Sequence, residues 1–279
     1  MKRHLGGINL LEFEPGDLEL DEKNGLLLVA SPNEIVAIPD WMSTSTEDAK
    51  PLYRSPNGVV NDFEAIEFID EVLYAVSEAP APVCSTIVEF GEDAKEGKLY
   101  ETNRWCTVTP EVEGMAYIPT KSWFPEPRLV LAGFSRSDTL SGTDTLVMDS
   151  YSWPLPGNSS VETPVTIQPN SLNSHLFSVN LSRQKVAAAQ YFEGYLYLLF
   201  DKSQLIRAFD SNGNLVKEWK LPVAVEGFER EWEGMQFQRK GDELVLHLAL
   251  DTPAQVWSLL LDGGSEQGDT GWSFPSCAS

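Results

Sequence analysis

The sequence predicts an all-β fold, a five-bladed β-propeller with four-stranded blades, and three observations lead there. One strand pair recurs five times along the 279 residues, the recurrences are spaced at blade length, and a spare strand near the N-terminus is available to close the ring. No stretch carries a helical apolar period.

The first unit is GDLELDEKNGLLLVAS from Gly16, two alternating runs around a polar turn. NDFEAIEFIDEVLYAVSE (Asn61 to Glu78) repeats that layout around a tight turn at Asp70-Glu71. EVEGMAYIP from Glu111 repeats the first strand, and PRLVLAGF from Pro127 supplies the second after a detour. KVAAAQYFEGYLYLLFD from Lys185 aligns by its Leu-Tyr pair and its length, and EWEGMQFQRKGDELVLHLAL from Glu231 is again a full pair. Taking the third residue counted from Asp17, Asp62, Glu111, Lys185 and Glu231 as a marker gives Glu19, Glu64, Glu113, Ala187 and Glu233, at intervals of 45, 49, 74 and 46 residues. Blade repeats run to about 40–50 residues. The third unit is longer by roughly 26, in the loop Thr120–Glu126 and in a Ser/Pro/Asn-rich insertion, Ser150–Ser174.

In the fourth unit SQLIRAFD and NLVKEWK flank Ser211-Asn212-Gly213 and complete a set of four strands. The fifth has QVWSLLL as its third strand and then loses its β pattern, while INLLEF (residues 8–13) stands spare before the first unit. That segment is expected to be the outer strand of the last blade, hiding an exposed edge. One domain covers residues 1–279, with blades near 16–55, 61–105, 111–181, 185–220 and 231–261 plus 8–13. An open sandwich with coincidentally similar hairpins is the alternative, and it leaves the matched spacing and acid positions without a cause.

The bulk figures agree with a soluble, turn-rich domain: 42% apolar residues, 8 Trp and 18 Pro. No run reaches the ~18 apolar residues of a membrane helix, and the start MKRHLGGINLLEF has no useful apolar core for a signal peptide. A leader removed before Met1 stays open, so the compartment is not assigned. A formal charge of -22 repels phosphate backbones and excludes nucleic acid as the expected partner. Cys84, Cys106 and Cys277 have no zinc spacing, and their odd count fits either reduced thiols or one disulfide with one free thiol.

In a propeller the first strand of each blade lines the central channel, and the end of the second returns to the face where the first begins. The pairs Asp17/Glu19, Asp62/Glu64, Glu111/Glu113 and Glu231/Glu233 are therefore expected at one channel mouth, with Lys185 and Ala187 opening a gap in the fourth blade. Converging glutamates need raised pKa values or a cation. Oxygen-only ligands select a hard ion, and calcium accepts irregular oxygen coordination, with magnesium or manganese as alternatives. The metal ligands expected are Glu19, Glu64, Glu113 and Glu233. The competing reading has these carboxylates accepting backbone N–H groups at neighbouring strand ends, with water between. Glu78, Arg136, Asp201 and Lys185 are expected around the mouth as substrate-binding groups. Asp62 and Glu111 are candidate general bases, as is His175 if the insertion overhangs the mouth, whereas His247, inside a strand, reads as packing.

The hairpins DFEAIEF…LYAVSE and EWEGMQF…LVLHLAL resemble the DLEGIA…LYVVSE hairpins of the SdiA-regulated and esterase-like-phytase propellers. The resemblance covers about a third of the chain. More widely, the chain resembles calcium-dependent lactonase, phosphotriesterase and apyrase propellers, in which inner-strand groups bind a channel calcium. That implies ligand roles for Glu19, Glu64, Glu113 and Glu233. The inner-strand Asn ligands of the lactonases and the apyrase segments outside the hairpins are missing, so the resemblance carries an acidic ring and no particular reaction. The expected function is a calcium-dependent hydrolase of a small-molecule ester, lactone or phosphoester, with the Ser150–Ser174 insertion as a partial lid. A non-catalytic binding or scaffold propeller with a structural calcium is the alternative, and a metal-dependent lyase or isomerase is the third.

Overall fold

The computed structural model describes residues 4–9, 15–38, 49–56, 61–78, 84–93, 95–135, 145–170, 185–221, 224–225, 228–229, 231–251 and 255–261. These residues form small sheets without a helix, antiparallel apart from one short pair. No helix among them is long and apolar enough to cross a membrane. The strands are β1 (His4–Asn9), β2 (Asp17–Asp21), β3 (Leu26–Ala30), β4 (Glu34–Ile38), β5 (Lys50–Arg54), β6 (Phe63–Ile69), β7 (Val72–Ser77), β8 (Thr86–Asp93), β9 (Lys98–Cys106), β10 (Val112–Ile118) and β11 (Arg128–Ser135). They continue as β12 (Thr145–Ser152), β13 (Val165–Thr166), β14 (Val186–Phe192), β15 (Tyr195–Phe200), β16 (Leu205–Phe209), β17 (Leu215–Lys220), β18 (Ala224–Val225), β19 (Phe228–Glu229), β20 (Trp232–Lys240), β21 (Glu243–Leu250) and β22 (Gln255–Leu261).

Blade 1 is β2-β3-β4-β5, blade 2 is β6-β7-β8-β9, blade 3 is β10-β11-β12, blade 4 is β14-β15-β16-β17, and blade 5 is β20-β21-β22-β1. The last blade closes as the sequence suggests, with β1 antiparallel to β22 from His4↔Leu259 to Asn9↔Gln255. The pairing strand begins at residue 4, earlier than the 8–13 expected.

Second strands such as LLLVA, VLYAVS and YLYLLF are near-continuous apolar runs because both of their faces are covered by neighbouring blades. Their burial builds five separate cores, one at each junction: blades 1 and 2 around Phe63 and Phe90, 2 and 3 around Trp105 and Tyr151, 3 and 4 around Phe200, 4 and 5 around Trp232 and Phe237, and 5 back to 1 around Leu27 and Val256. The fifth junction is what makes the array a ring. The turn Asp70-Glu71, with φ of 51° and 66°, joins β6 to β7 in the left-handed backbone that tight hairpins need.

The long insertion does not behave as a lid among its described residues. It runs along the outside of blade 2, where β13 pairs in parallel with β9, Trp105 Nε1 donates to Pro156 O at 2.9 Å, and Trp153 packs edge-on against Tyr74 and Tyr117. Covering the open edge of β9 and burying Trp153 outweigh projection over the mouth. Residues 171–174 and His175 lie outside the described residues.

Cys84 and Cys106 form a disulfide that fastens the approach to β8 onto the end of β9, while Cys277 lies outside the described residues. The double substitution Cys84→Ser/Cys106→Ser is expected to cost about 2–4 kcal/mol, read as a lower urea midpoint at unchanged slope. An unchanged midpoint contradicts a stabilising bridge. His247 packs as expected: it is fully buried, with Nδ1 2.8 Å from Ser258 Oγ.

Candidate functional site

Four inner strands slip by one residue at the same height: between Phe63 and Ala65, Val112 and Gly114, Val186 and Ala188, and Trp232 and Gly234. The residues within the slips are Glu64, Glu113, Ala187 and Glu233, the markers of blades 2 to 5. A bulge frees one residue from the ladder and re-aims it, here into the channel. The slip is tolerated because a small residue follows. At Gly234 a Cβ would come within 2.8 Å of Asp17 Cα in the next blade.

The second-strand ends are tied to the same mouth. Glu78 N donates to Asp62 O at 2.8 Å, Phe134 N to Glu111 O at 3.2 Å, and Asp251 N to Glu231 O at 2.9 Å. Asp62 and Glu111 take left-handed backbone angles, φ 50° and 38°, a conformation uncommon outside glycine and frequent at functional sites. Asp62 is held there by its neighbour. Buried Asn61 donates from Nδ2 to Tyr53 Oη (3.0 Å) and Ser55 Oγ (2.8 Å) and accepts from Arg104 Nη2 (2.8 Å), and Asp62 N donates to Pro32 O at 2.7 Å. Asn61 was not a candidate from the sequence, since its role depends on a network spanning two blades.

Carboxylate oxygens of Asp62, Glu64 and Glu78 lie within 4.8 Å of one another, all three partly buried. Burial, then Glu113, Asp62, Glu233 and Glu78, push Glu64 up to about 9. Burial raises Glu233 to about 8 and Glu113 to about 7, both shifts opposed by Lys185. Burial also raises Asp62 and Asp201, again against Lys185. Lys185 Nζ lies 3.3 Å from Glu113 Oε1. Lys185 and Asp201 therefore reach the mouth as the repeat suggests. Arg136 lies outside the described residues.

Glu19 departs from the expected ring. Strand β2 has no bulge, and its register equates Glu19↔Leu28 with Glu67↔Tyr74, Gln190↔Tyr197 and Gln236↔His247. Glu19 therefore sits three residues deeper than Glu64. Gln236 Nε2 donates to it at 3.2 Å, and burial, Glu67 and Asp17 raise its pKa. Gly16 takes the marker height in blade 1, where an added Cβ would collide with Phe63 O. The acids thus form two tiers: Asp62, Glu64, Glu78, Glu113 and Glu233 at the mouth, and Asp17, Glu19 and Glu67 below it. In the lower tier the N–H-accepting role holds for Asp17, whose Oδ2 accepts from Ile66 N at 3.0 Å and whose carboxyl burial pushes up to about 8.

The fold and site together define a five-bladed β-propeller with a carboxylate-rich channel mouth. No family model matches the chain, and no curated protein matches it. Among solved structures it is similar to Myxococcus xanthus glutaminyl cyclase (TM-score 0.53, 10% identity, covering 94% of this chain and 97% of that one). It is also similar to an oxidoreductase (glucose dehydrogenase) structure from Thermus thermophilus (TM-score 0.50, 12% identity, covering 94% and 99%). At these identities the likeness is one of fold.

Proposed function

We propose that the channel mouth holds a calcium ion and that the protein is a calcium-dependent hydrolase of an ester, lactone or phosphoester. The carrying observation is the convergence of Asp62, Glu64 and Glu78 within 4.8 Å, the span of two oxygens that share an ion at about 2.4 Å each. The donor set fits: it is oxygen-only, partly buried and short of positive charge, which favours a hard cation over zinc. Magnesium or manganese would use the same oxygens. In this reading Glu113 and Glu233, whose charges act on Glu64, complete the set, and Glu19, in the lower tier, contributes only indirectly. A bound calcium supplies a Lewis acid that polarises a carbonyl or phosphoryl oxygen.

With Asp62 committed to the ion, Glu111 is the carboxylate assigned in this reading to take a proton from water. The fold neighbours are named for two different reactions, so the fold does not choose the chemistry. The hairpin resemblance to SdiA-regulated and esterase-like-phytase propellers agrees with this reading. A structural ion is the second reading, favoured by the mouth acids coming from blades 2, 3 and 5, which an ion would tie together.

The test is to measure calcium binding by titration calorimetry and to assay lactone, aryl ester and phosphoester hydrolysis with calcium and after chelation. The hydrolase reading expects binding together with chelator-sensitive turnover of one class, lost in Glu111→Gln. Binding without turnover of any class supports the structural ion, and no binding overturns both.

A further inference from the structure

Blade 4 breaks the acidic pattern twice. Ala187 stands where three blades carry a bulged glutamate, and Lys185 stands where those blades carry Asp62, Glu111 and Glu231. Ala187 brings no carboxylate and is buried with the core of blades 4 and 5, and the Lys185 ammonium reaches across to blade 3. Nζ sits 3.3 Å from Glu113 Oε1, with the Lys185 side chain 27% exposed and that of Glu113 4%. It also lies 5.9 Å from the centre of the Phe134 ring. Its charge reaches acids of four blades, opposing the upward shifts of Asp62, Glu113, Asp201 and Glu233. Burial works against the ammonium, yet Glu113, Glu233 and Glu64 outweigh it and hold Lys185 above its ordinary range.

We propose that Lys185 is the built-in counter-cation of the mouth and acts as its charge filter, holding its place against monovalent ions and yielding it to a divalent one. This rests on reading the mouth as a cation site. The reason is a matter of exchange. A potassium or sodium ion that displaces the ammonium leaves the net charge among the carboxylates as it was and forfeits the ammonium's hydrogen bond to Glu113. A divalent ion adds one unit of positive charge beside Asp62, Glu64, Glu78, Glu113 and Glu233, so only that exchange gains Coulomb energy. Without the lysine, a monovalent ion supplies the same single charge the ammonium did, and it becomes a competitor.

The experiment compares wild type, Lys185→Met and Lys185→Arg by calorimetric titration with calcium and by melting in potassium chloride against choline chloride at equal ionic strength. Wild type is expected to bind calcium and to melt alike in both salts. Lys185→Met is expected to bind calcium at least tenfold more tightly and to gain stability specifically in potassium, with Lys185→Arg matching wild type. Lys185→Gln gives the same reading if the Met variant does not fold. A Met or Gln variant that binds calcium as wild type does and ignores potassium overturns the filter and leaves the metal site standing. An Arg variant that behaves like the Met variant overturns it as well. Calcium binding in the Met variant alone overturns the filter, because the lysine then does not yield to a divalent ion, and it sinks the calcium reading of the native mouth as well. Absence of any cation binding in all variants sinks both.

Discussion

Glu64→Gln is expected to weaken calcium binding at least a hundredfold and, in the same protein freed of ions, to raise the melting temperature at pH 8. Both effects come from one carboxylate. Glu64 is the bulged residue of blade 2, faces Asp62 and Glu78 within 4.8 Å, and feels Glu113 and Glu233 from two further blades. As a ligand it supplies charge that an amide cannot. Without an ion the folded state has to hold this carboxyl protonated at pH 8, where the unfolded chain leaves it ionised, and the neutral amide removes that cost.

The direction of the pH dependence follows. Glu64, Glu233 and Glu113 have folded pKa values raised to about 9, 8 and 7, so the folded state holds more protons than the unfolded chain. Their contribution is complete below the ordinary carboxylate pKa, near 4.3, and is lost as pH rises through 7 to 9. Chelated wild type is therefore expected to melt roughly 5–10 °C lower at pH 8.5 than at pH 5.5. Saturating calcium should remove most of that slope, and Glu64→Gln should reduce it without calcium. His247 acts at the other end. Burial holds it down at about 3, so its contribution is lost as pH falls below about 6.5, where the unfolded imidazole takes a proton. Equal melting at the two pH values in chelator would contradict the two-tier acid cluster.

The second large effect belongs to the ring. Deleting residues 1–9 removes β1, which pairs with β22 from His4 to Asn9. Blade 5 would be left with three strands and an open edge at β22, beside the junction where Val256 packs against Leu27 and Val36 of blade 1. Other junctions stay intact, so the expected outcome is a folded but weakened ring that melts on the order of 10 °C lower and associates through the bare edge. Melting and light scattering report the two parts. A monomer with unchanged stability would show that closure at blade 5 contributes little.

The fold was legible because a propeller writes its repeat into the chain: the alternating first strand, the apolar second strand and the spacing all survive in one sequence. The mouth acids of blades 2, 3 and 5 were legible for the same reason, since Glu64, Glu113 and Glu233 occupy the same bulge. Blade 1 misled because Asp17-Leu18-Glu19 copies the acid-x-acid spelling without the bulge, and pairing register has no spelling of its own. Turn length hid the register as well: residues 22–25 link β2 to β3 but only Asp70-Glu71 link β6 to β7, so counting back from Ser31 and Ser77 sets Glu19 level with Ala65 and not with Glu67, its counterpart by pairing. The insertion misled for a different reason. Its Trp153 and Val165–Thr166 find their partners in blade 2, a contact between units that no single repeat encodes.

The central claim is that the mouth carboxylates hold a hard divalent ion, and a crystal structure grown with calcium tests it most directly. The expected result is a calcium peak within about 2.3–2.6 Å of oxygens from Asp62, Glu64 and Glu78, with the Lys185 ammonium moved off Glu113. A mouth that keeps the Lys185–Glu113 pair and shows only water among those three carboxylates, at saturating calcium and pH 8, would contradict it.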